Sequence, residues 1–455
     1  MALIEKQGIP TASLVAKGFE KAWQQSASAF GLAVLPMAAT DQTFTNASPS
    51  EIEHMVDLAL ERLIVGVTMT PERQDLTLLA AKVAPAESLT VEGQDLLDAF
   101  MAMNELFLQN EWGDGLPLIP PTPKAVSEAL RHTKRDPQEV IAVLEPGFGV
   151  ATVERIAINA VMAGCKPEYL PVLIAAVKAV SQPRFMLRDA AVSTGSRAPL
   201  LLINGPIAER LKINSGVCAL GPGAPSRANT AIGRALRLIY MNIGGVRPGG
   251  TDPNTIGLPT KYSLCVAENE GQSPWEPYHV EMGYARDVST VTVKTVYGCV
   301  ETEDSKSTSP EAIADVAVSA ARHFGSPFAG WLIGGTSDPD KGLEVDAQHM
   351  WLICPDHAAK LASRGWSKDD VRRYLWKNAT IAFREVAARR PVGKDSRGRW
   401  IKHPELQLWM ENHPDVEVPM SAGPESYRLA VVGGPGPRGV YFSGNEEAVT
   451  QPIED

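Results

Sequence analysis

Three loops in this 455-residue chain concentrate side chains able to do chemistry. The first is Met162-Ala-Gly-Cys165-Lys-Pro-Glu-Tyr169. Cys165 stands just before a helix predicted from Pro167, with Lys166 beside it. A helix N-terminus and a neighbouring cation both lower a thiol pKa, so Cys165 is a candidate thiolate nucleophile. A small buried residue in a helix–helix turn fits the same pattern, since free cysteine is among the most buried residue types. The second loop runs from Asn214-Ser-Gly through Cys218-Ala-Leu-Gly221-Pro-Gly223 to Arg227-Ala-Asn229 and opens a helix. Gly-rich backbone ahead of a helix, with Arg227 adding charge, is a candidate anion site made by Gly221, Gly223, Arg227 and Asn229. Its spacing is neither a P-loop nor a dinucleotide fingerprint, and a structural turn capped by Asn229 fits it equally well.

The third loop is the densest. A strand predicted over 262–267 delivers Cys265, and the loop after it brings Glu268, Glu270, Glu276 and Glu281 together with Trp275, Tyr278 and His279. Loops at strand ends carry functional residues in α/β proteins. Glu268, Glu276 and His279 are therefore candidate proton-transfer groups, Cys265 a second candidate thiol and Trp275 a candidate substrate contact. The bland alternative is a solvated acidic loop with a satisfied histidine. No H-x-x-x-H or comparable spacing supports a metal, and no cofactor is indicated. Two further features belong with these loops. Asp356 and His357 stand at a strand-to-helix junction, and Gly433-Gly-Pro-Gly-Pro-Arg438 follows a late strand.

The elements that must position these loops alternate. Thr11–Ala16 and Leu32–Pro36 are predicted as parallel strands joined by a Phe19–Phe30 helix that Gly31 stops, and Ser48 or Ser50 opens a helix to about Val65. Ala2–Gln7 is predicted as the end of a helix feeding the first strand. Such a unit normally has an earlier strand, here expected from upstream sequence or from another chain. Val91–Glu111 is predicted helical. The Trp112–Thr122 run, with Trp112 and Asp114, is an ordered turn that forms an anchor or a pocket wall. Beyond it, helices are predicted over 152–163, 167–180, 229–242, 309–324, 357–364 and 367–376. Strands are predicted over 199–204, 262–267, 290–295, 329–333, 348–354 and 428–432. The expected fold is α/β (or α+β) and multidomain: a partial parallel layer at 1–66, a helical connection at 67–111 and a large α/β domain at 112–455.

Composition narrows the function classes. Lys+Arg 43 against Asp+Glu 53 gives a net charge of −10, a poor surface for nucleic acid. No run of apolar residues is long enough for a membrane span, and the first residues carry no secretion signal, so a cytoplasmic location is expected. Cysteines at 165, 218, 265, 299 and 354 are scattered and include no C-x-x-C, which argues against a disulfide framework.

Several runs together resemble the UGSC-motif (seleno)protein family. Gly8-Ile-Pro-Thr-Ala, the Phe19 helix and Leu35-Pro followed by Ser48-Pro-Ser-Glu look like the second half of its small domain. Trp112-Gly-Asp-Gly-Leu-Pro, Ala157-Ile-Asn-Ala-Val-Met-Ala-Gly-Cys165, Asn204-Gly-Pro, Asn214-Ser-Gly, Leu220-Gly-Pro-Gly, Glu268-Asn-Glu, Pro274-Trp-Glu-Pro and Gly433-Gly-Pro-Gly are similar to its large associated region. The chain departs from the family in lacking Cys-Gly-Ser-Cys and selenocysteine. The resemblance implies a redox motif on an upstream segment, lost if a UGA codon is read as a stop, or on a separate subunit. It also implies a thiol- or selenol-dependent oxidoreductase acting on a small organic molecule. From the residues themselves, a redox-neutral hydrolase or lyase using the carboxylate/His loop, with or without a metal, remains open, as does a non-catalytic large subunit of a redox complex. A small-molecule substrate, a UGSC-motif subunit and a second copy of the chain are the partners admitted. Cys165, the Glu268–Glu281 loop and Trp112 or Asp114 are expected around one concave surface.

Overall fold

The computed structural model describes residues 4, 9–29, 35–44, 47–68, 88–323, 348–385, 408–409, 411–421, 423–444 and 446–454. The fold is α/β with small mixed sheets. Its residues group into two compact units, one made of Met1–Gly164, Leu187–Ser196 and Arg237–Gly257, the other of Cys165–Met186, Arg197–Leu236 and Leu258–Asp455. These divisions do not fall at the expected boundaries, 66/67 and 111/112.

In the first unit, strands β1 (Ser13–Val15) and β2 (Met37–Ala39) pair in parallel, Ser13 opposite Met37. The expected strand at Leu32–Pro36 is thereby corrected to Met37–Ala39; residues 32–34, like Gly31, most of Ala2–Gln7 and the expected 329–333 strand, lie outside the described residues. Proline has no amide hydrogen, so the ladder starts after Pro36, whose carbonyl accepts from Ser13 N (3.0 Å). Helix α1 (Glu20–Ala29) joins the two strands, and α2 (Pro49–Thr68) turns Met55, Ala59 and Gly66 inward. Ser48 and Glu51 form a reciprocal cap at its start, Ser48 N donating to Glu51 (2.7 Å) and Glu51 N to Ser48 Oγ (3.3 Å). Helices α3 (Leu96–Gln109), α4 (Pro123–Leu130) and α5 (Val153–Met162) follow, with an antiparallel hairpin of β3 (Val140–Leu144) and β4 (Gly149–Thr152) before α5. Trp112 serves here as an anchor: its ring meets Phe107 edge-on at 5.5 Å and its carbonyl accepts from Asn242 (3.0 Å). Asp114 caps its own turn through Leu116 N (3.1 Å).

The second unit holds two four-stranded sheets. In chain order its strands are β5 (Ala198–Asn204), β6 (Cys265–Ala267), β7 (Thr290–Val296), β8 (Gly298–Glu303), β9 (His349–Ile353), β10 (Thr380–Ala382), β11 (Glu417–Pro419), β12 (Tyr427–Val431), β13 (Arg438–Ser443) and β14 (Val449–Pro452). One sheet has the order β14-β7-β5-β6, the other β12-β9-β13-β8. Each contains one parallel pair, β5 with β6 and β9 with β12, and is otherwise antiparallel. Only Tyr297 separates β7 from β8, so one extended stretch supplies a strand to each sheet. Strand periodicity puts alternate residues on opposite faces. Leu200, Leu202, Val266, Met350, Leu352, Ala430 and Phe442 from both sheets share one core. On the opposite face of the second sheet, Trp351, Ile353, Leu429 and Tyr441 pack with α8 (Pro310–His323), α9 (Pro355–Ser363) and α10 (Lys368–Asn378). Helices α6 (Leu170–Val180), which packs against β7 and β14, and α7 (Arg227–Asn242) complete the set of longer helices named here.

Candidate functional site

The carboxyl ends of the two parallel pairs meet. Glu268 N extends the first pair by bonding Ile203 O (3.0 Å), and Val432 N extends the second by bonding Ile353 O (2.9 Å). Asn269 N then donates to Val431 O (2.7 Å) and Asn269 Nδ2 to Gly433 O (3.1 Å). Gly433 N in turn bonds Ser215 O (2.8 Å), and Gly436 N bonds Asp356 Oδ2 (2.9 Å). Four segments far apart in sequence, 214–223, 268–281, 354–357 and 433–438, are thus tied together at the strand ends, where α/β sheets place their ligands.

At the centre lies Asn204, the last residue of β5. Its Nδ2 donates to Glu268 Oε2 (2.6 Å) and to Glu270 Oε1 (3.0 Å), so one amide holds two carboxylates. The next residue makes this turn possible. Gly205 has φ 82°, and a Cβ there would stand 2.6 Å from Val288 O, so only glycine fits. Its N–H points at Glu270 Oε1 (2.8 Å). Glu268 is buried and also accepts from Tyr278 N (2.7 Å) and Val431 N (3.4 Å), with Lys368 Nζ 3.8 Å away. Burial raises its carboxyl pKa, outweighing Lys368 and the three donors, which act the other way. Lys368, itself buried, also donates to Glu276 O (2.8 Å) and Glu281 Oε2 (3.1 Å).

His279 is fully buried in the short helix Tyr278–Glu281. Its Nε2 faces Arg286 O (3.3 Å) and its Nδ1 faces Glu270 Oε1 at 3.7 Å. Both ring nitrogens of this buried histidine therefore face oxygen acceptors. Glu270 keeps a side-chain exposure of 24%, which makes it the group of this network open to solvent.

The structure brings Glu268 and His279 into one network and sends their companions elsewhere. Glu276 pairs with Arg286 at the surface (2.8 Å). Trp275 anchors the loop, donating from Nε1 to Trp366 O (3.0 Å) and packing on the core under α10. Cys265 opens β6 while Glu268 follows its end, so their backbone positions stand three strand steps, about 10 Å, apart. Cys165 donates its thiol proton to Ala231 O (3.3 Å). Burial pushes both thiols far up, so both are protonated at neutral pH. That is the reverse of the thiolate environment expected for Cys165. Burial of the sulfur outweighs the Arg234 charge nearby.

The Gly-rich loop is knitted shut by side chains. Helix α7 begins at Arg227, after a turn of 3-10 helix at Ala224–Ser226. Asn229 lies inside the helix instead of capping it, and bonds Asn214 N (2.8 Å), Asn214 O (2.8 Å) and Ala219 O (3.1 Å). Ser226 Oγ donates to Cys218 O (2.9 Å). Arg227 is exposed, and Gly223 takes a positive φ of 119°. The buried polar atoms of this loop are spent on its own backbone.

Asn204, Glu270 and Lys368 are the members of the network that sequence reasoning did not single out. The signal for two of them was present: Asn-Gly-Pro and Glu-Asn-Glu each directly follow an apolar strand. Among the described residues no group of three or more His, Cys, Asp or Glu is placed to hold a metal ion. No single helix among them is long and apolar enough to cross a membrane. Comparison of the chain with family models, with curated proteins and with solved structures finds no match.

Proposed function

We propose that this chain is an enzyme acting on a small organic molecule by proton transfer at the strand-end network, a redox-neutral hydrolase or lyase. The observation that carries this reading is the histidine–carboxylate pair: His279 Nδ1 faces Glu270 Oε1 at 3.7 Å, and Glu270 is the partly exposed partner. Glu270 is the base that meets substrate, and His279 holds it in place from the buried side. Glu268 holds Asn204, and Asn204 holds Glu270, so the base is pre-positioned by groups that do not touch substrate. The test is a turnover screen over small esters, amides, hydroxy acids and amines, read by proton NMR, with His279→Gln and Glu270→Gln beside the wild type. Turnover that survives both substitutions rejects the reading.

A second reading is a thiol- or selenol-dependent oxidoreductase, as the UGSC-motif resemblance implies. Because burial keeps both thiols protonated, its nucleophile would come from a UGSC-type segment or subunit, with this chain supplying the substrate site and proton transfer. Turnover that requires a thiol reductant and is lost in Cys165→Ser supports this reading against the first. Turnover that appears only with a co-purified second chain assigns this chain the part of a large subunit.

A further inference from the structure

Helix α2 buries only Met55, Ala59 and Gly66, yet it is rich in large apolar side chains. Ile52, Val56, Leu60 and Ile64 recur at every fourth position, and Val67 continues them three residues on. Their exposures are 38, 37, 47, 53 and 40% in that order. The i, i+4 spacing sets them in one ridge, about 22 Å long at about 1.5 Å per residue. One position after each of the first three stand Glu53, Asp57 and Glu61, all exposed, which form a second ridge beside the first. None of these three carboxylates has a hydrogen-bond or ion-pair partner among the described residues. Contiguous apolar surface of this kind, bordered by charge, marks a place where a protein meets a partner.

We propose that this face of α2 docks an amphipathic helix of a different polypeptide, one whose own apolar row is flanked by Lys or Arg. The apolar ridge supplies the contact, and the unpaired acidic ridge selects the partner by charge, as flanking positions do in paired helices. A second copy of the chain is the poorer occupant. In an antiparallel two-fold pair the acidic ridges of both copies fall on the same side of the seam, where like charges repel. Arg62, the one Lys or Arg of the helix, lies about 160° around the axis from Leu60. A membrane surface also fits poorly. Helices that lie in a bilayer interface set Lys and Arg on their polar face, and anionic lipid repels an acidic one.

The test uses the full chain and two fluorescein-labelled synthetic peptides of eighteen residues. Both carry Leu at three- and four-residue spacing; one is flanked by Lys, the other by Glu. Fluorescence anisotropy should show saturable binding of the Lys peptide, and binding of the Glu peptide weaker by about tenfold or more. A Leu60→Gln/Ile64→Gln variant keeps the net charge of the chain, so general attraction to an acidic protein survives in it. Binding of the Lys peptide should nonetheless fall about tenfold or more, and likewise in Glu53→Gln/Asp57→Asn/Glu61→Gln. Equal binding of the two peptides, or unchanged affinity in either variant, overturns the proposal. Flotation with phosphatidylcholine/phosphatidylserine vesicles that is lost in Leu60→Gln/Ile64→Gln overturns it in favour of a membrane. Self-association in sedimentation velocity that is lost in the same variant overturns it in favour of a second copy. Should that variant fail to fold, the charge variant and the two-peptide comparison on the wild type still decide.

Discussion

At the scale of single residues, burial sorts the five thiols. Cys218 and Cys299 are exposed, Cys165 is partly buried, and Cys265 and Cys354 are buried. Alkylation of the native protein with iodoacetamide at neutral pH should therefore modify Cys218 and Cys299 first. Cys165 and Cys265 should react only on unfolding, since each is held as the neutral thiol. Peptide mass spectrometry reads this directly, and rapid modification of Cys165 in the native state would restore it as a nucleophile. His349 makes the second residue-level prediction. It is fully buried, stacked on Tyr427 at 5.2 Å and on Tyr441 at 5.6 Å. Burial first, and then the Lys294 charge, lower its pKa from 6.5 to about 3. The unfolded chain takes up this proton near 6.5 and the folded chain only near 3. Stability due to this histidine is therefore complete above the higher value and is lost as the pH falls toward the lower one. The loss approaches about 1.4 kcal/mol per pH unit inside that window. His349→Phe keeps the stacking and should flatten the acid limb of a plot of urea midpoint against pH. An unchanged limb would remove His349 as the cause.

At the scale of elements, caps made the helices legible. Thr152 accepts from Arg155 N at the start of α5, and Ser367 with Asp370 forms a reciprocal cap on α10, both at starts visible in the sequence. Ser367→Ala should cost about 1 kcal/mol, measured by chemical denaturation, because it orphans an N-terminal amide. The strands were harder to read, for a reason that shows in their lengths. β10 and β11 have three residues each and β14 four, too short for alternation to declare itself. The β3–β4 hairpin went unread because its Glu145-Pro-Gly-Phe148 turn looks like a chain break. Its position is fixed instead by a close backbone approach. A Cβ on Gly149 would collide with the Ile243 carbonyl oxygen, which cannot move aside cheaply. Gly149→Ala should lower the melting temperature by several degrees, corresponding to roughly 2 kcal/mol or more, and a neutral outcome would mean that this approach is not tight.

At the scale of the whole molecule, the sheets of the second unit are coupled by shared chain. β7 passes into β8 across Tyr297, whose N–H bonds Ser443 O (2.8 Å), and residues of both sheets fill one core. Neither sheet can open without exposing the inner face of the other, so they should unfold as one cooperative body. Native-state hydrogen exchange should give central amides of β5 and β9 the same opening free energy, within the scatter of neighbouring amides. Two well-separated values would show that the sheets open independently. The same topology explains what could be read in advance. Composition, periodicity and capping are local, so the sequence by itself determined most of the longer helices, a parallel strand pair joined by a helix near the N-terminus but not the position of its second strand, the α/β class and the chemical richness of the Glu268–Glu281 loop. Which strands neighbour one another depends on contacts between residues such as Ile203 and Glu268, or Val431 and Asn269, that no short window contains. Tertiary structure alone decided that Asn204 stands between Glu268 and Glu270, that Glu276 and Trp275 turn away, and that the Cys165 thiol is held neutral. Each of those outcomes is set by what long-range packing leaves open to water and by which distant donor reaches a buried carboxylate.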